Sequence, residues 1–288
     1  MPRITLVVDA GNELGEGPLW DVEEGRLYWV DSLGKAFYRC TAEGKGVERF
    51  DVPEHIGSMA LRSGGGAVVA LRSGFHFYDF ASARCSPIVD PEADQPRTRF
   101  NDGKVDPKGR FLAGTMDYEE REGLGGLYQL GSDLACRKLD HGIICANGPC
   151  WSPDGRILYF ADTWQETIFA YDYDPETGAA RNRRPWASKG AGYPDGATVD
   201  DEGYLWSARV HGGQILRYAP DGSIDRAIDF PVKTLTSVMF GGENLDVLYV
   251  TSMARPIAGK PPAERAAGGL FAVHDLGVRG LPERRFDG

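Results

Sequence analysis

The amino-acid sequence predicts an all-β fold, a six-bladed β-propeller that forms a single domain over residues 1–288. Three observations lead to this prediction. A motif recurs about every 41 to 48 residues, segments such as RLYWVD and ILYFAD alternate in polarity with a period of two, and no segment sustains the 3.6-residue apolar period of a helix. Repeats of this length are typical of the four-stranded blades of a propeller.

The repeat has one scheme in all six copies. A polar-Gly or Gly-Pro start leads into a short apolar strand, an Asp/Pro/Gly turn follows, and then come an aromatic-rich strand and a third strand. The copies begin at Gly15, Gly57, Asn101, Asn147, Pro194 and Thr236. A sandwich of stacked hairpins is the alternative, but sandwiches do not repeat one motif six times.

The N-terminal segment ITLVVD precedes the first complete repeat and has no hairpin partner of its own. We expect it to pair with the last blade and close the ring, which removes an open sheet edge. Its apolar run, residues 4–8, is too short for a signal peptide or a membrane span.

Composition restricts the partners of this protein. The net charge of −10 and the lack of a basic cluster disfavour nucleic acid and anionic membranes. The five cysteines are scattered and include no CxxC pair, so we expect reduced thiols rather than a disulfide framework or a zinc knuckle. Together with the short N-terminal apolar run, these features predict a cytoplasmic protein. We expect it to be a monomer or a small homo-oligomer.

Polar residues recur at the starts of the repeats, where the first strand of each blade lines the central channel. We expect them to converge at one mouth of the channel, together with the ends of the second strands. The first group is Glu16, Gly57, Asn101 with Asp102, Asn147, Asp195 and Ser237, and the second is residues 117–119, 163–164, 209–211 and 252–253. On this interpretation the Asn101-Asp102-Gly103 sequence begins the third blade at the mouth instead of forming a hairpin turn.

Three of these residues form a candidate metal site. Glu16, Asn147 and Asp195 offer three hard oxygen donors with two negative charges, which suits Ca²⁺, Mg²⁺ or Mn²⁺ and, less typically, Zn²⁺. The alternative for each is that it only caps or turns its own strand. Asp102 either orients a metal-bound water or holds the turn.

The motifs LGEGPLW, RFNDGKVDPKGRFLAGTM, NGPCWSPDGRILYFADT and YPDGATVDDEGYLW resemble the gluconolactonase, senescence marker protein and regucalcin family over essentially the whole chain. The resemblance implies a divalent metal at Glu16, Asn147 and Asp195, and hydrolysis of sugar lactones. It also implies substrate contacts from Arg99, Asn101 and Glu119. The loop GTMDYEEREGLGG is shorter than in the animal members, and GPCW replaces their Gly-Leu-Asp-Trp.

Lactone hydrolysis assigns a role to each residue. The cation would polarise the carbonyl, while Asp195 would also take a proton from the attacking water. Arg99 would donate a fork of hydrogen bonds to the substrate and Glu119 would accept from hydroxyls. The simpler interpretations are a surface salt bridge for Arg99, a solvated hairpin tip for Glu119 and a turn position for His211.

Two other functions remain open. One is a non-catalytic, calcium-binding regulatory propeller, because fold does not fix function. The other is a metal-dependent hydrolase of aryl esters or organophosphates. The absence of a G-x-S-x-G motif disfavours a serine hydrolase.

Overall fold

The computed structural model describes residues 2–256 and 259–288. Six antiparallel sheets of four strands each account for the regular structure, which confirms the predicted six-bladed propeller. Apart from strands, regular structure in the described residues is limited to one short 3₁₀ turn, Thr163–Gln165. In the same residues no helix has the length and apolar character needed to cross a membrane.

The first three blades follow one another along the chain, and each runs from its innermost to its outermost strand. Blade 1 consists of β2 (Gly15–Asp21), β3 (Arg26–Asp31), β4 (Ala36–Cys40) and β5 (Glu48–Asp51). Blade 2 consists of β6 (Ile56–Leu61), β7 (Ala67–Leu71), β8 (Gly74–Asp79) and β9 (Arg84–Val89). Blade 3 consists of β10 (Thr98–Val105), β11 (Phe111–Asp117), β12 (Gly125–Leu130) and β13 (Cys136–Ile143).

The last three blades repeat this order, except that blade 6 takes its outermost strand from the N-terminus. Blade 4 consists of β14 (Ala146–Trp151), β15 (Ile157–Asp162), β16 (Thr167–Asp174) and β17 (Ala179–Ala187). Blade 5 consists of β18 (Tyr193–Val199), β19 (Leu205–Val210), β20 (Gln214–Tyr218) and β21 (Ile224–Asp229). Blade 6 consists of β22 (Leu235–Gly241), β23 (Val247–Ser252), β24 (Leu270–His274) and β1 (Arg3–Val8).

The ring closes through the N-terminal strand, as the sequence predicts. β1 pairs antiparallel with β24, from Arg3 opposite His274 to Leu6 opposite Phe271. The first and last strands of the chain therefore share one sheet, and the last blade cannot separate from the first without breaking this pairing.

Alternating residues of one strand pack against different neighbouring blades. In β3, Leu27 and Trp29 pack with Tyr249 of blade 6, whereas Tyr28 and Val30 pack with residues of blade 2. Both faces of each blade are thus buried, which explains why both phases of the period-two pattern carry large side chains. Burial of each such side chain contributes about 1.5–3 kcal/mol.

The innermost strands surround the channel and carry the candidate residues at β-bulges. Strand β2 contacts β22 and β6, and β10 contacts β6 and β14. In β10 the register shifts between Phe100 and Gly103. Asn101 and Asp102 therefore lie inside the strand, whereas the sequence predicted them at its start. A bulge bends the strand and redirects its side chains. Equivalent shifts occur at Glu16/Leu19, Asn147/Cys150 and Pro194/Ala197.

The C-terminal segment after β24 ties several blades together at the far end of the channel. Gly280 N donates to Leu245 O at 2.8 Å, and Phe286 N donates to Leu61 O at 2.8 Å. The Phe286 ring is fully buried in the core that blades 2 and 3 share. This segment therefore packs across the end of the channel that lies opposite the candidate site.

Candidate active site

A cavity of about 260 Å³ lies at one end of the channel. Five of the six residues predicted to bind metal or substrate line it, and they come from the innermost strands of blades 1, 3, 4 and 5. They are Glu16, Arg99, Asn101, Asn147 and Asp195. The structure therefore brings together polar side chains that are far apart in the sequence.

A chain of hydrogen bonds connects blades 3, 4 and 5 across the floor of this cavity. Arg99 Nη1 donates to Asn101 Oδ1 at 2.9 Å, and Asn101 Nδ2 donates to Asn147 Oδ1 at 3.1 Å. Asn147 Nδ2 donates to Thr163 Oγ1 at 2.8 Å, and Thr163 Oγ1 donates to Pro194 O at 2.9 Å. This chain fixes the Asn147 amide, whose oxygen keeps a second lone pair for another partner.

Three buried carboxyl groups lie close to one another beside this chain. Burial raises the pKa of Glu16 well above its ordinary value, and the charges of Asp195 and Asp102 raise it further. Burial, and then the charge of Asp102, likewise raise the pKa of Asp195. Like charges held together away from water disfavour ionisation, so this group of carboxyls calls for a compensating cation.

One atom of the group is left without a partner. Asp195 Oδ1 is buried and accepts no hydrogen bond from the described residues. An unsatisfied buried carboxylate oxygen in a native structure needs an explanation, such as a bound ion or water. Together with the Glu16 carboxylate and the Asn147 amide oxygen, it forms a set of hard oxygen donors that fits a divalent cation.

The candidate metal site consists of oxygen ligands that carry only two negative charges. Within residues 2–256 and 259–288, no three His, Cys, Asp or Glu side chains are grouped as metal ligands. The set of Glu16, Asn147 and Asp195 has two carboxylates and one amide, so the third oxygen is neutral. A site of this kind leaves room for water or substrate oxygens beside the protein ligands.

Arg99 is buried at the side of the cavity, not paired at the surface. Its guanidinium donates to Phe100 O at 3.0 Å and to the Asn101 side chain, both through Nη1. Burial lowers the pKa of Arg99, although its ordinary value is so high that the group stays charged. The remaining N–H groups are available to a ligand in the cavity.

Asp102 lies beneath the cavity in the narrow part of the channel, where a space of only about 10 Å³ remains. Its Oδ1 accepts from Gly103 N at 2.8 Å, and its Oδ2 accepts from Gly148 N at 2.9 Å. Asp102 thus bridges blades 3 and 4 through both oxygens. Ser237 also lies at this level, below the cavity.

The structure places Glu119 outside the cavity and Glu120 inside it. The Glu119 side chain is 62% exposed and lies 3.6 Å from Arg121, whereas Glu120 lines the cavity. The turn is held by Asp117, whose carboxylate accepts from the backbone N–H groups of residues 119, 121 and 122. Glu120 adopts a left-handed backbone conformation, with φ of +58°.

Several other cavity residues were not singled out from the sequence. Arg255 reaches the rim from the segment after β23 and pairs with Glu120 at 3.0 Å. It follows residues 252–253, which the sequence predicted at the mouth, and this proximity was the only signal for it. His211, by contrast, was expected at the mouth; it occupies a turn and lines the cavity, with its ring against Tyr193. Thr163, Trp164 and Met253, also expected there, line the cavity as well.

Comparison with known proteins identifies the family. Residues 14–254 match the family described as SMP-30/Gluconolactonase/LRE-like region. A 6-deoxy-6-sulfogluconolactonase of Pseudomonas putida is 35% identical, with 99% of each chain covered. A luciferin-regenerating enzyme superposes with a TM-score of 0.94 at 31% identity, with both chains fully covered. A calcium-binding protein, regucalcin, of Agrobacterium tumefaciens has a TM-score of 0.90 at 27% identity, with 98% of this chain and 96% of that chain covered. The chain therefore belongs to the SMP-30/gluconolactonase/LRE-like family.

Proposed function

We propose that this protein is a metal-dependent hydrolase that opens a sugar 1,4- or 1,5-lactone to the aldonic acid. The observation that carries the proposal is the buried, unpartnered Asp195 Oδ1 in a cavity that also holds Glu16 and Asn147. The lactonase named among the relatives supports the same reaction class. The ion is one of Ca²⁺, Zn²⁺, Mn²⁺ and Mg²⁺, and the named calcium-binding neighbour favours the hard cations.

Three residues bind the cation, and one of them also transfers a proton. Glu16, Asn147 and Asp195 would hold the cation, which when bound polarises the lactone carbonyl and stabilises negative charge on its oxygen. Asp195 takes a proton from the attacking water, and that proton then passes to the ring oxygen as the ester bond breaks. The product is a single aldonic acid, with a new carboxyl group that ionises at neutral pH and a new hydroxyl group at the former ring oxygen.

Arg99 and Asn101 hold the substrate in place. The guanidinium has free N–H groups that can donate to ring or hydroxyl oxygens of a polyol. Its hydrogen bond to Asn101 Oδ1 fixes the fork against the cavity wall. Glu119 points away from this space, so the acceptor for substrate hydroxyls on the same turn is Glu120, which lines the cavity.

A pH-stat assay tests the proposal directly, because each turnover releases one proton. The enzyme is assayed on a panel of 1,4- and 1,5-aldonolactones before chelation, after chelation, and after reloading with single metals. We expect hydrolysis that chelation abolishes and at least one metal restores. If the folded protein hydrolyses no lactone of the panel in a chelator-sensitive way, the proposal fails.

Two other functions make different predictions in the same assay. A regulatory calcium-binding propeller would bind Ca²⁺ and hydrolyse no lactone. An aryl-ester or organophosphate hydrolase would show a much larger kcat/KM for an aryl ester than for the best lactone. The polar lining formed by Arg99, Asn101 and Glu120 fits a polyol better than an aryl group.

We also propose the cytoplasm as the site of action. All five cysteines are free thiols in the structure, and none forms a disulfide. Free, mostly buried thiols are typical of reducing compartments.

A further inference from the structure

An ion pair crosses the rim of the candidate active site. Glu120 follows β11 in blade 3, Arg255 follows β23 in blade 6, and both side chains line the cavity. We propose that Arg255 binds an anionic substituent of the lactone substrate, a sulfonate, carboxylate or phosphate, which takes the place of Glu120. This inference rests on the proposed lactonase function and narrows its substrate class.

The pair is close but accessible. Arg255 Nη1 lies 3.0 Å from Glu120 Oε1, and the two side chains are 43% and 23% exposed. Ion pairs in contact with water contribute little to stability. A substrate group can therefore displace Glu120 from Arg255 at small cost, and the released carboxylate can then accept from a substrate hydroxyl.

The backbone on both sides of the pair is held in place. Arg255 N donates to Glu13 O, and the preceding Ala254 N donates to Asn12 O, both at 2.9 Å. On the other side, the Asp117 carboxylate holds the turn in which Glu120 is left-handed. A left-handed glutamate is disfavoured and persists only where the surroundings enforce it, which often happens at functional sites.

The charges at the rim bear on how an anion binds. A substrate anion that displaces Glu120 from Arg255 adds its own negative charge, because the Glu120 carboxylate stays attached to the same turn. The guanidiniums of Arg99 and Arg255, which both line the cavity, compensate that charge.

The chemistry of Arg255 specifies the class of ligand. A planar guanidinium donates two parallel hydrogen bonds to a carboxylate, sulfonate or phosphate, and such charge-assisted bonds are about twice as strong as neutral ones. Arg99 is a second guanidinium on the wall of the same cavity, and its hydrogen bonds go to a carbonyl and an amide oxygen. Two guanidiniums line the cavity, so it can bind a lactone that carries its own negative charge.

The test uses two lactones that differ only at C6, with a hydroxyl group in one and a sulfonate in the other. For the metal-loaded wild-type enzyme we expect a larger kcat/KM with the sulfonate, and a KM for it that rises with salt more steeply than that for the neutral lactone. Arg255→Met should lower the sulfonate-to-hydroxyl ratio of kcat/KM by about 10- to 100-fold, which corresponds to the loss of a hydrogen bond to a charged group.

Two further variants separate recognition from general charge effects. Arg121→Met removes a cation next to Glu120 in sequence, but Arg121 is 78% exposed and pairs with Glu119, so the ratio should stay within about twofold of wild type. Glu120→Gln removes the competing carboxylate, so the ratio should rise. Arg255→Lys keeps the charge without the fork and should give an intermediate ratio.

The outcomes distinguish failure of the inference about Arg255 from failure of the proposed lactonase function. If the enzyme hydrolyses lactones but prefers the neutral one and Arg255→Met leaves the ratio unchanged, the inference is overturned while the lactonase function stands. If neither lactone nor any other of the panel is hydrolysed, both are rejected. Should Arg255→Met fail to fold, the Arg255→Lys ratio and the wild-type salt dependence decide the question.

Discussion

The substitution Asp195→Asn tests whether one residue both holds a cation and accepts a proton. The replacement is nearly isosteric, and Asp195 Oδ1 has no hydrogen bond in the described structure that the amide would break. An amide oxygen can still ligate a metal, more weakly for the lost charge, but the amide cannot accept a proton at neutral pH. The fold should therefore survive while the chemistry changes.

The expected magnitude comes from the two roles separately. Loss of a general base lowers the rate by about 10² to 10⁴, or about 2.7–5.4 kcal/mol of transition-state free energy. In the metal-free protein, the same substitution should increase stability while it lowers activity. Burial and the Asp102 charge raise the pKa of Asp195 above its value in the unfolded chain, so the ionised form opposes folding at neutral pH. Removing this charge should raise the Tm of the metal-free protein.

The assay measures kcat in the pH-stat at increasing metal concentration, and Tm by calorimetry with and without metal. For Asp195→Asn we expect a kcat that remains 10² to 10⁴ below wild type at saturating metal, a higher Tm without metal, and a smaller rise in Tm on metal addition. These three results come from the same preparation, so a misfolded variant is recognised at once.

Recovery of near wild-type kcat at excess metal would refute the reasoning, because Asp195 would then act only as a ligand. The base would have to be sought elsewhere. Asp102, the next candidate from the sequence, has both carboxylate oxygens engaged by Gly103 N and Gly148 N. A Tm of the metal-free variant below that of wild type would contradict the electrostatic argument independently.

Three further predictions follow from the same structure. Glu16→Gln lowers the charge of the site without removing the base, so excess metal should restore most of its kcat in a metal titration. In the metal-free protein the pKa values of Glu16 and Asp195 are raised, so folding takes up protons. Its Tm should therefore fall as pH rises from about 4.5 toward neutrality. A Tm that rises over this range would contradict the assignment. Phe286 is fully buried, so Phe286→Ala should lower the free energy of unfolding by about 3–5 kcal/mol and the Tm by roughly 5–8 °C in a thermal scan. A loss below about 1 kcal/mol would show that the C-terminal segment does not support the core.

The fold could be predicted from the sequence because a propeller repeats one structural unit. Each blade needs the same order of polar start, apolar strand, turn and aromatic strand, so the pattern recurs six times and survives in weak copies such as the one from Thr236. Ring closure was predictable for a similar reason, since the first strand has no hairpin partner within its own segment. The pairing of β1 with β24 confirms this expectation.

The deep part of the cavity was also predictable, for residues on the innermost strands. Equivalent positions of a repeat occupy equivalent places around the axis, so Glu16, Asn147 and Asp195 had to converge once the repeat was recognised. What the pattern did not show was the β-bulge at each of these positions. A bulge depends on how two strands pair, and one strand read alone does not reveal its register.

The charged side chains at the rim, Glu120 and Arg255, were decided by tertiary structure. Of two adjacent glutamates, the resemblance selected Glu119, but the structure turns Glu120 inward, because the buried Asp117 carboxylate holds the turn with Glu120 left-handed. Arg255 reaches the same space from blade 6, where contacts of its backbone with residues 12 and 13 hold it. Repetition determines the strands and the residues on them, whereas loops differ from blade to blade and their side chains are placed by contacts between distant segments, which a local sequence pattern does not encode.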